Sequence, residues 1–437
     1  MATSSMAPLL PLPRGRGGSG RRSCGRSFGE SRGDHANSYK KRHSLVVVVF
    51  EPQRSFLEKE EQQILARMVD TLLIPGPIVI SENVQKALGT PSVSHTCPEF
   101  VAVFSRTLHN TRKVFRAHPT EGQPFVLAGS GTLGWDVAAS NLIKPGEKAL
   151  VISTGFFSDS FADCLRLYGA DVDKVDAPLG GVVSPDDVEK ALKKTKYRLV
   201  TFTHVDTSTA VLNDIKQYAE LVHRVSPETF IIVDGVCSVG CEELEFDKWG
   251  IDFTLTASQK ALGAPPGLCV AVISQRALDF ALSDDTPTRS FFGSLKRWSS
   301  VMKAYETGKG AYFATPAVQL VNSLDVALQE ILQEGLEKRW AAHKKTSDWF
   351  KGKLTQELGL KLVSEPEVSA HGLTAVYVDD PPKVSSFLKQ NGVVIAGGIH
   401  KQIASKYIRI GHMGVSAVDP KLNHIPRAYE LIKQALQ

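Results

Sequence analysis

The chain reads as an α/β protein with a mainly parallel sheet in a large domain and a smaller C-terminal α/β domain. Three observations predict this. Short runs such as VTFT (Val200–Thr203) and FIIV (Phe230–Val233) are almost purely apolar or β-branched, the texture of strands covered on both faces. Such runs alternate with helical patterns, as a parallel sheet between helices requires. Near Gln333 the rhythm changes to one long helical pattern and then a compact strand–helix alternation. The expected division is a disordered or targeting extension over residues 1–70, a large domain over 71–333 and a small domain over 334–437.

The elements follow in order. From Leu73 the segment IPGPIVIS places two prolines around Gly76, which forces an extended, turning backbone. Glu99–Phe115 puts its apolar residues on one helical face. Phe125–Gly129 and Lys148–Thr154 read as strands, with helices over Trp135–Ile143 and Asp159–Gly169. Leu199–Asp206, Phe230–Gly235, Phe253–Ser258 and Gly267–Ser274 are further strands. Gly335–Leu354 is one long amphipathic helix. Strands over Leu373–Asp379, Val393–Gly398 and Tyr407–His412 alternate with helices over Val384–Gly392 and Arg427–Leu436. No internal repeat is present.

Composition narrows the function. The 437 residues are 42% hydrophobic and 22% charged, ordinary for a soluble globular protein. The net charge of +5 is concentrated at the start: up to His43 nine Lys or Arg face only Glu30 and Asp34. The remaining chain is thus slightly acidic and makes no case for a nucleic-acid surface. The six cysteines lack paired zinc spacing and read as small apolar residues of a reducing compartment. The apolar run Leu45–Phe50 is too short to span a bilayer and forms a β-prone, aggregation-prone window. The Arg- and Ser-rich start, poor in acids, has transit-peptide composition; a disordered tail, or a start at Met68, is the competing reading. Mitochondrion is the expected compartment, with cytosol and peroxisome as alternatives, although the terminal Ala-Leu-Gln is not a peroxisomal tripeptide.

Three motifs carry chemistry. In AGSGTLGWD (Ala128–Asp136) a strand ends, small residues turn and a helix begins. Such a helix start binds phosphate through unpaired N–H groups, with Ser130, Gly131 and Thr132 supplying hydroxyls and close backbone approach. Gly129, Gly131 and Gly134 also match a dinucleotide fingerprint. The next strand, however, ends in Ser153-Thr154, without the acid that a nicotinamide ribose wants. Asp234 follows four apolar residues at a strand end, where desolvation is expensive unless a cation or strong donors meet it; a protonated pyridine nitrogen is one such partner. Lys260 stands between a strand and the turn ALGAPPG. A desolvated lysine can act as a nucleophile at neutral pH. A lysine, a phosphate cradle and a buried aspartate are together what pyridoxal phosphate requires. The plainer readings are a tight turn, an acid capping a turn and a surface lysine.

With SQKALGAPPG (Ser258–Gly267) the chain resembles the class-V, fold-type-I pyridoxal-phosphate aminotransferases, within them the alanine–glyoxylate and serine–pyruvate aminotransferase family. LLIPGPI, GSGTLGWD, HVDTSTAVLND, VDGVCSVG and YIRIGHMG support the resemblance, which runs from about Leu73 to the C-terminus. It implies that Lys260 binds the cofactor covalently and moves the Cα proton, with Gln259 beside it on the phosphate. It implies that Asp234 holds the ring nitrogen, Val236 packs under the ring and Thr207 donates to the phenolic oxygen. Ser130, Gly131 and Thr132 would bind phosphate, and Arg409 would clamp the substrate carboxylate as a bidentate fork. Tyr312 and Thr315, in AYFATP, match positions that reach the phosphate of the neighbouring subunit, so a homodimer with shared sites is expected. Without the resemblance, Arg409 reads as a surface charge and Tyr312 as a core aromatic.

Three departures bear on substrate preference. Phe157 stands where a stacking tryptophan is common, Thr207 where serine is common, and Thr132 where some relatives have histidine. The expected reaction is transamination of a small amino acid, alanine or serine, with glyoxylate or pyruvate; metal ions and membranes have no part in it. A hydroxykynurenine-type transaminase shares these motifs. A cysteine desulfurase would need a later cysteine than Cys269 and, commonly, a histidine in place of Gln259. A nicotinamide dehydrogenase, from another class, would rest on GSGTLG alone, and a non-catalytic binding protein would leave Lys260, Asp234 and Arg409 unused.

Overall fold

The computed structural model describes residues 70–286 and 288–437. Residues 1–69, with the transit-peptide composition, the Leu45–Phe50 run and Met68, lie outside the described residues. The strands are β1 (Thr71–Leu72), β2 (Gln123–Ala128), β3 (Lys148–Ser153), β4 (Asp171–Asp176), β5 (Leu199–Thr203), β6 (Val205–Asp206), β7 (Val211–Leu212), β8 (Phe230–Asp234), β9 (Phe253–Ala257), β10 (Leu268–Ile273), β11 (Leu373–Tyr377), β12 (Val393–Val394), β13 (Ala396–Gly397) and β14 (Tyr407–Gly411). Seven of them form the central sheet in the order β2-β10-β9-β8-β5-β3-β4. β10 alone runs antiparallel, to both β9 and β2. The mixed α/β class and the mostly parallel sheet are as the sequence predicts.

The apolar runs earn their places by burial. β5, β8, β9 and β10 are buried at every residue, and the main hydrophobic core spans Val84 to Leu336. Helices pack closely on this sheet. A Cβ on Gly134, in the helix Gly131–Asn141, would lie 2.7 Å from Leu255 Cβ of β9. The edge strand β4 (DVDKVD) has no fully buried residue, so it carries no apolar signature. Its Lys174 pairs with Asp159 and Asp176 at 2.7 Å, the charged edge that discourages further pairing.

A second core joins Leu73 to residues Phe350–Ala435. There β11, β14 and β13 form an antiparallel sheet, and β1 pairs with β12 in parallel. A third cluster, containing Ile78, Cys237, Ala261, Tyr407 and Met413, links the two cores beside Lys260. The expected strand Leu199–Asp206 is broken. β5 ends at Thr203, and Val205–Asp206 pairs instead with Val211–Leu212. Asn213 makes the break by donating its side-chain amide to Thr203 O at 2.7 Å and its backbone N–H to His204 O at 2.9 Å. Among the described residues no helix is long and apolar enough to cross a membrane, and no His/Cys/Asp/Glu group could hold a metal ion.

Candidate active site

The carboxyl ends of β2, β3, β5, β8 and β9 converge, as open α/β sheets arrange their sites. There a cavity of about 170 Å³ takes in Ser130, Gly131, Thr132, Phe157 and Thr207 on one set of loops, and Asp234, Val236, Gln259 and Lys260 on another. Nine of the twelve sequence-predicted residues thus line one space.

At β8 the backbone delivers Asp234 into the interior, 3% exposed. Oδ1 accepts from Val236 N–H and Oδ2 from Trp135 Nε1, both at 2.9 Å. Burial pushes its pKa up to about 6, against the two hydrogen bonds, with the negative charge of Asp206 adding to the rise and Lys260 opposing it. Beyond β9 the chain turns and presents half-buried Lys260, whose Nζ donates to Pro75 O. Gly76 makes this approach possible: a Cβ there would lie 2.8 Å from Lys260 Nζ, and φ is +103°. Arg339, from the helix Leu336–Gly352, holds the lysine turn from behind by donating to Ala261 O and Gly240 O at 3.0 Å.

The helix Gly131–Asn141 opens onto the cavity. Its N-cap, Ser130, makes no capping bond; its Oγ lies 2.6 Å from Thr132 Oγ1. The first N–H groups therefore remain open to an anion. Gly131 is required here because a Cβ would lie 2.6 Å from Val236 Cγ2. The buried Oε1 of Gln259 has no hydrogen-bond partner.

Arg409, on β14, is buried rather than a surface charge: it is 8% exposed. Nε donates to Gly397 O at 2.8 Å and Nη1 to Thr207 O at 3.3 Å. Among the described residues no carboxylate pairs with it, and burial lowers its pKa from the usual arginine value. It does not line the 170 Å³ cavity but is tied to it through Thr207. Tyr312 is 66% exposed and leans on His95, with ring centroids 5.3 Å apart; it is not a core aromatic. Thr315 is exposed as well, and neither residue lines the cavity of this chain.

Trp135, Thr203, Val205 and Cys237 also line the space and are not among the sequence-predicted site residues. Trp135 sits one turn inside the glycine-opened helix, but its partner Asp234 is 99 residues away, so local pattern does not expose it. The five described cysteines are free. Cys237 is buried, and burial raises its thiol pKa.

The chain matches the aminotransferase class-V family over residues 80–415. It is 58% identical over 382 residues to alanine–glyoxylate aminotransferase 1 of Saccharomyces cerevisiae, covering 85% of this chain and 99% of the yeast protein. It is 30% identical to serine–glyoxylate aminotransferase of Arabidopsis thaliana, over 78% of this chain and 85% of that one. The crystal structure of an alanine–glyoxylate aminotransferase from Nostoc superposes with a TM-score of 0.78 at 26% identity, covering 84% of this chain and 96% of that one.

The site's chemistry fits the cofactor of that family. A helix start without a side-chain cap and two hydroxyls suit a phosphate. A buried carboxylate with raised pKa suits a cationic ring nitrogen, and Lys260 lines the same cavity. The chain belongs to the class-V aminotransferases, enzymes that use pyridoxal phosphate.

Proposed function

We propose that this enzyme transfers the amino group of a small amino acid, alanine before serine, to glyoxylate or pyruvate. The observation that carries the choice of donor and acceptor is the 58% identity with the yeast alanine–glyoxylate aminotransferase across 99% of that protein. The site agrees with a carboxylate substrate, since Arg409 is buried and among the described residues has no carboxylate partner.

Ser130, Gly131, Thr132 and Gln259 bind the cofactor phosphate, and Thr207 donates to the phenolic oxygen. Phe157 and Val236 enclose the ring and exclude water. Asp234 keeps a negative charge beside the ring nitrogen. Pyridoxal phosphate, when bound, supplies the electron sink that stabilises a carbanion at Cα. Lys260 Nζ would hold the cofactor covalently, and its amine, once free, would serve as the base for the substrate Cα proton. Arg409 orients the carboxylate so that the Cα–H bond faces Lys260. Tyr312 and Thr315 reach the phosphate of a second copy of the chain, which makes the enzyme a homodimer; their exposure supports this. The two cores support a division of the chain near residue 334, and the composition of residues 1–70 supports mitochondrial import. A fluorescent fusion of those residues that stays in the cytosol, or enters peroxisomes, would refute the import.

Purified protein supplied with the cofactor should absorb visible light, lose that band on borohydride treatment and form pyruvate from alanine and glyoxylate. Lys260→Ala should retain no covalently reduced cofactor and turn over about 10²- to 10⁴-fold more slowly. A colourless protein sinks the reading. Preference for 3-hydroxykynurenine over alanine overturns the choice of substrate.

A further inference from the structure

A buried carboxylate to which the transfer itself assigns no step lies between two walls of the site. Asp206, 0% exposed, ends β6 immediately before Thr207. Its Oδ1 accepts from Ser208 N–H at 3.0 Å and Ser208 Oγ at 2.6 Å. Its Oδ2 accepts from Phe157 N–H at 3.1 Å, Ser158 N–H at 3.3 Å and Ser158 Oγ at 3.2 Å. Ser208 Oγ in turn accepts from Phe156 N–H at 2.9 Å. A carboxylate reached from elsewhere in the chain thus satisfies the first N–H groups of the helix Phe156–Leu167, where negative charge is favoured. Gly155 leaves room for it: a Cβ there would lie 2.8 Å from Asp206 Cγ.

Both segments held by this carboxylate reach the cavity, through Phe157 on one side and Thr207 on the other. The same turn reaches the substrate side. Tyr407 Oη donates to Ser208 O at 2.5 Å and accepts from the N–H groups of Ile399 and His400 at 3.0 Å. Arg409, two residues along β14, donates to Thr207 O at 3.3 Å.

We propose that Asp206 is a positioning residue: its carboxylate locks the turn 206–208 to the helix start at Phe156 and so sets Phe157, Thr207 and Arg409 relative to one another. The inference rests on the cofactor contacts assigned above to Phe157 and Thr207. Asp206→Asn keeps the volume but presents N–H₂ to groups that themselves donate, so at least one backbone N–H loses its acceptor.

The test uses cofactor-free wild type and Asp206→Asn, with two readouts: the dissociation constant for added pyridoxal phosphate, and hydrogen exchange resolved by residue. The dissociation constant should rise about 10- to 100-fold. Exchange should accelerate by about tenfold or more at Phe157, Ser158 and Ser208 while β3 and β8 keep wild-type protection. Ser208→Ala should show the same pattern at about 3- to 10-fold, and it serves if Asp206→Asn does not fold. Unchanged affinity in both variants overturns the proposal. Protection lost evenly across β3, β5 and β8 also overturns it, because Asp206 then only stabilises the fold. If the wild type itself failed to bind pyridoxal phosphate, the assigned function would fall, and the exchange pattern would still judge the clamp.

Discussion

At Asp234 two effects oppose each other. Burial raises the pKa of the carboxyl group, while Val236 N–H and Trp135 Nε1 favour the anion; burial prevails and the value reaches about 6, from an ordinary 3.8. An acid whose folded pKa exceeds its unfolded value binds the extra proton in the folded state between those pH values. Stability therefore falls as pH rises from about 4 to about 6, and the penalty is fully present above that window. The prediction is a comparison of cofactor-free wild type with Asp234→Asn by denaturant titration. From pH 7 down to pH 4 the difference should move in favour of the wild type by up to roughly 3 kcal/mol. A difference that stays flat with pH would contradict the ionised, desolvated carboxylate. Asp234 was legible in the sequence as a charge after four apolar residues. Trp135 was not, because its role depends on an indole N–H meeting a carboxylate 99 residues on.

Among the elements, the helix Gly131–Asn141 shows how sequence and packing divide the work. Its glycines suggest a phosphate turn, but their packing reason lies in the sheet. Gly131 fits against Val236, and Gly134 against the side chain of Leu255, whose Cδ1 and Cδ2 would lie 3.0 Å from an added Cβ. Gly134→Ala should therefore cost about 1–3 kcal/mol by overpacking. It should also weaken cofactor binding, because the helix start must shift off β9. Unchanged stability in chemical denaturation would show that the helix relaxes freely. β4 and the break after Thr203 escaped the sequence reading for separate reasons. β4 carries alternating charges with no apolar face. The break coincides with a hydrogen bond from Asn213 to a carbonyl ten residues back in the chain.

For the whole molecule, the decisive residues are those that the single chain leaves outside. Tyr312 and Thr315 are exposed and away from the cavity, which the proposed homodimer explains by shared sites. Mixing is the direct test. Lys260→Ala and a Tyr312→Ala/Thr315→Ala variant, each nearly inactive alone, should regain transamination when unfolded together and refolded, since a mixed dimer holds one complete site. No recovery, with dimers confirmed by light scattering, would remove the shared-site arrangement. Arg409 belongs to this scale too. The clamp role proposed for it follows from resemblance, but its burial, with no carboxylate partner among the described residues, emerges only when β14 packs beside the Thr207 turn.

The α/β class, the strand ends that carry Asp234 and Lys260, and the cofactor family are all legible in the amino-acid order. These depend on local signals: apolar runs fit only a sheet covered on both faces, and rare polar residues at their ends stand out against them. Tertiary structure alone decided the antiparallel course of β10, the second core reached by Leu73, and the contacts of Trp135, Asp206 and Arg409. Each depends on partners distant in the chain, and a hydrogen bond or a buried charge acquires its meaning only from what packing places beside it.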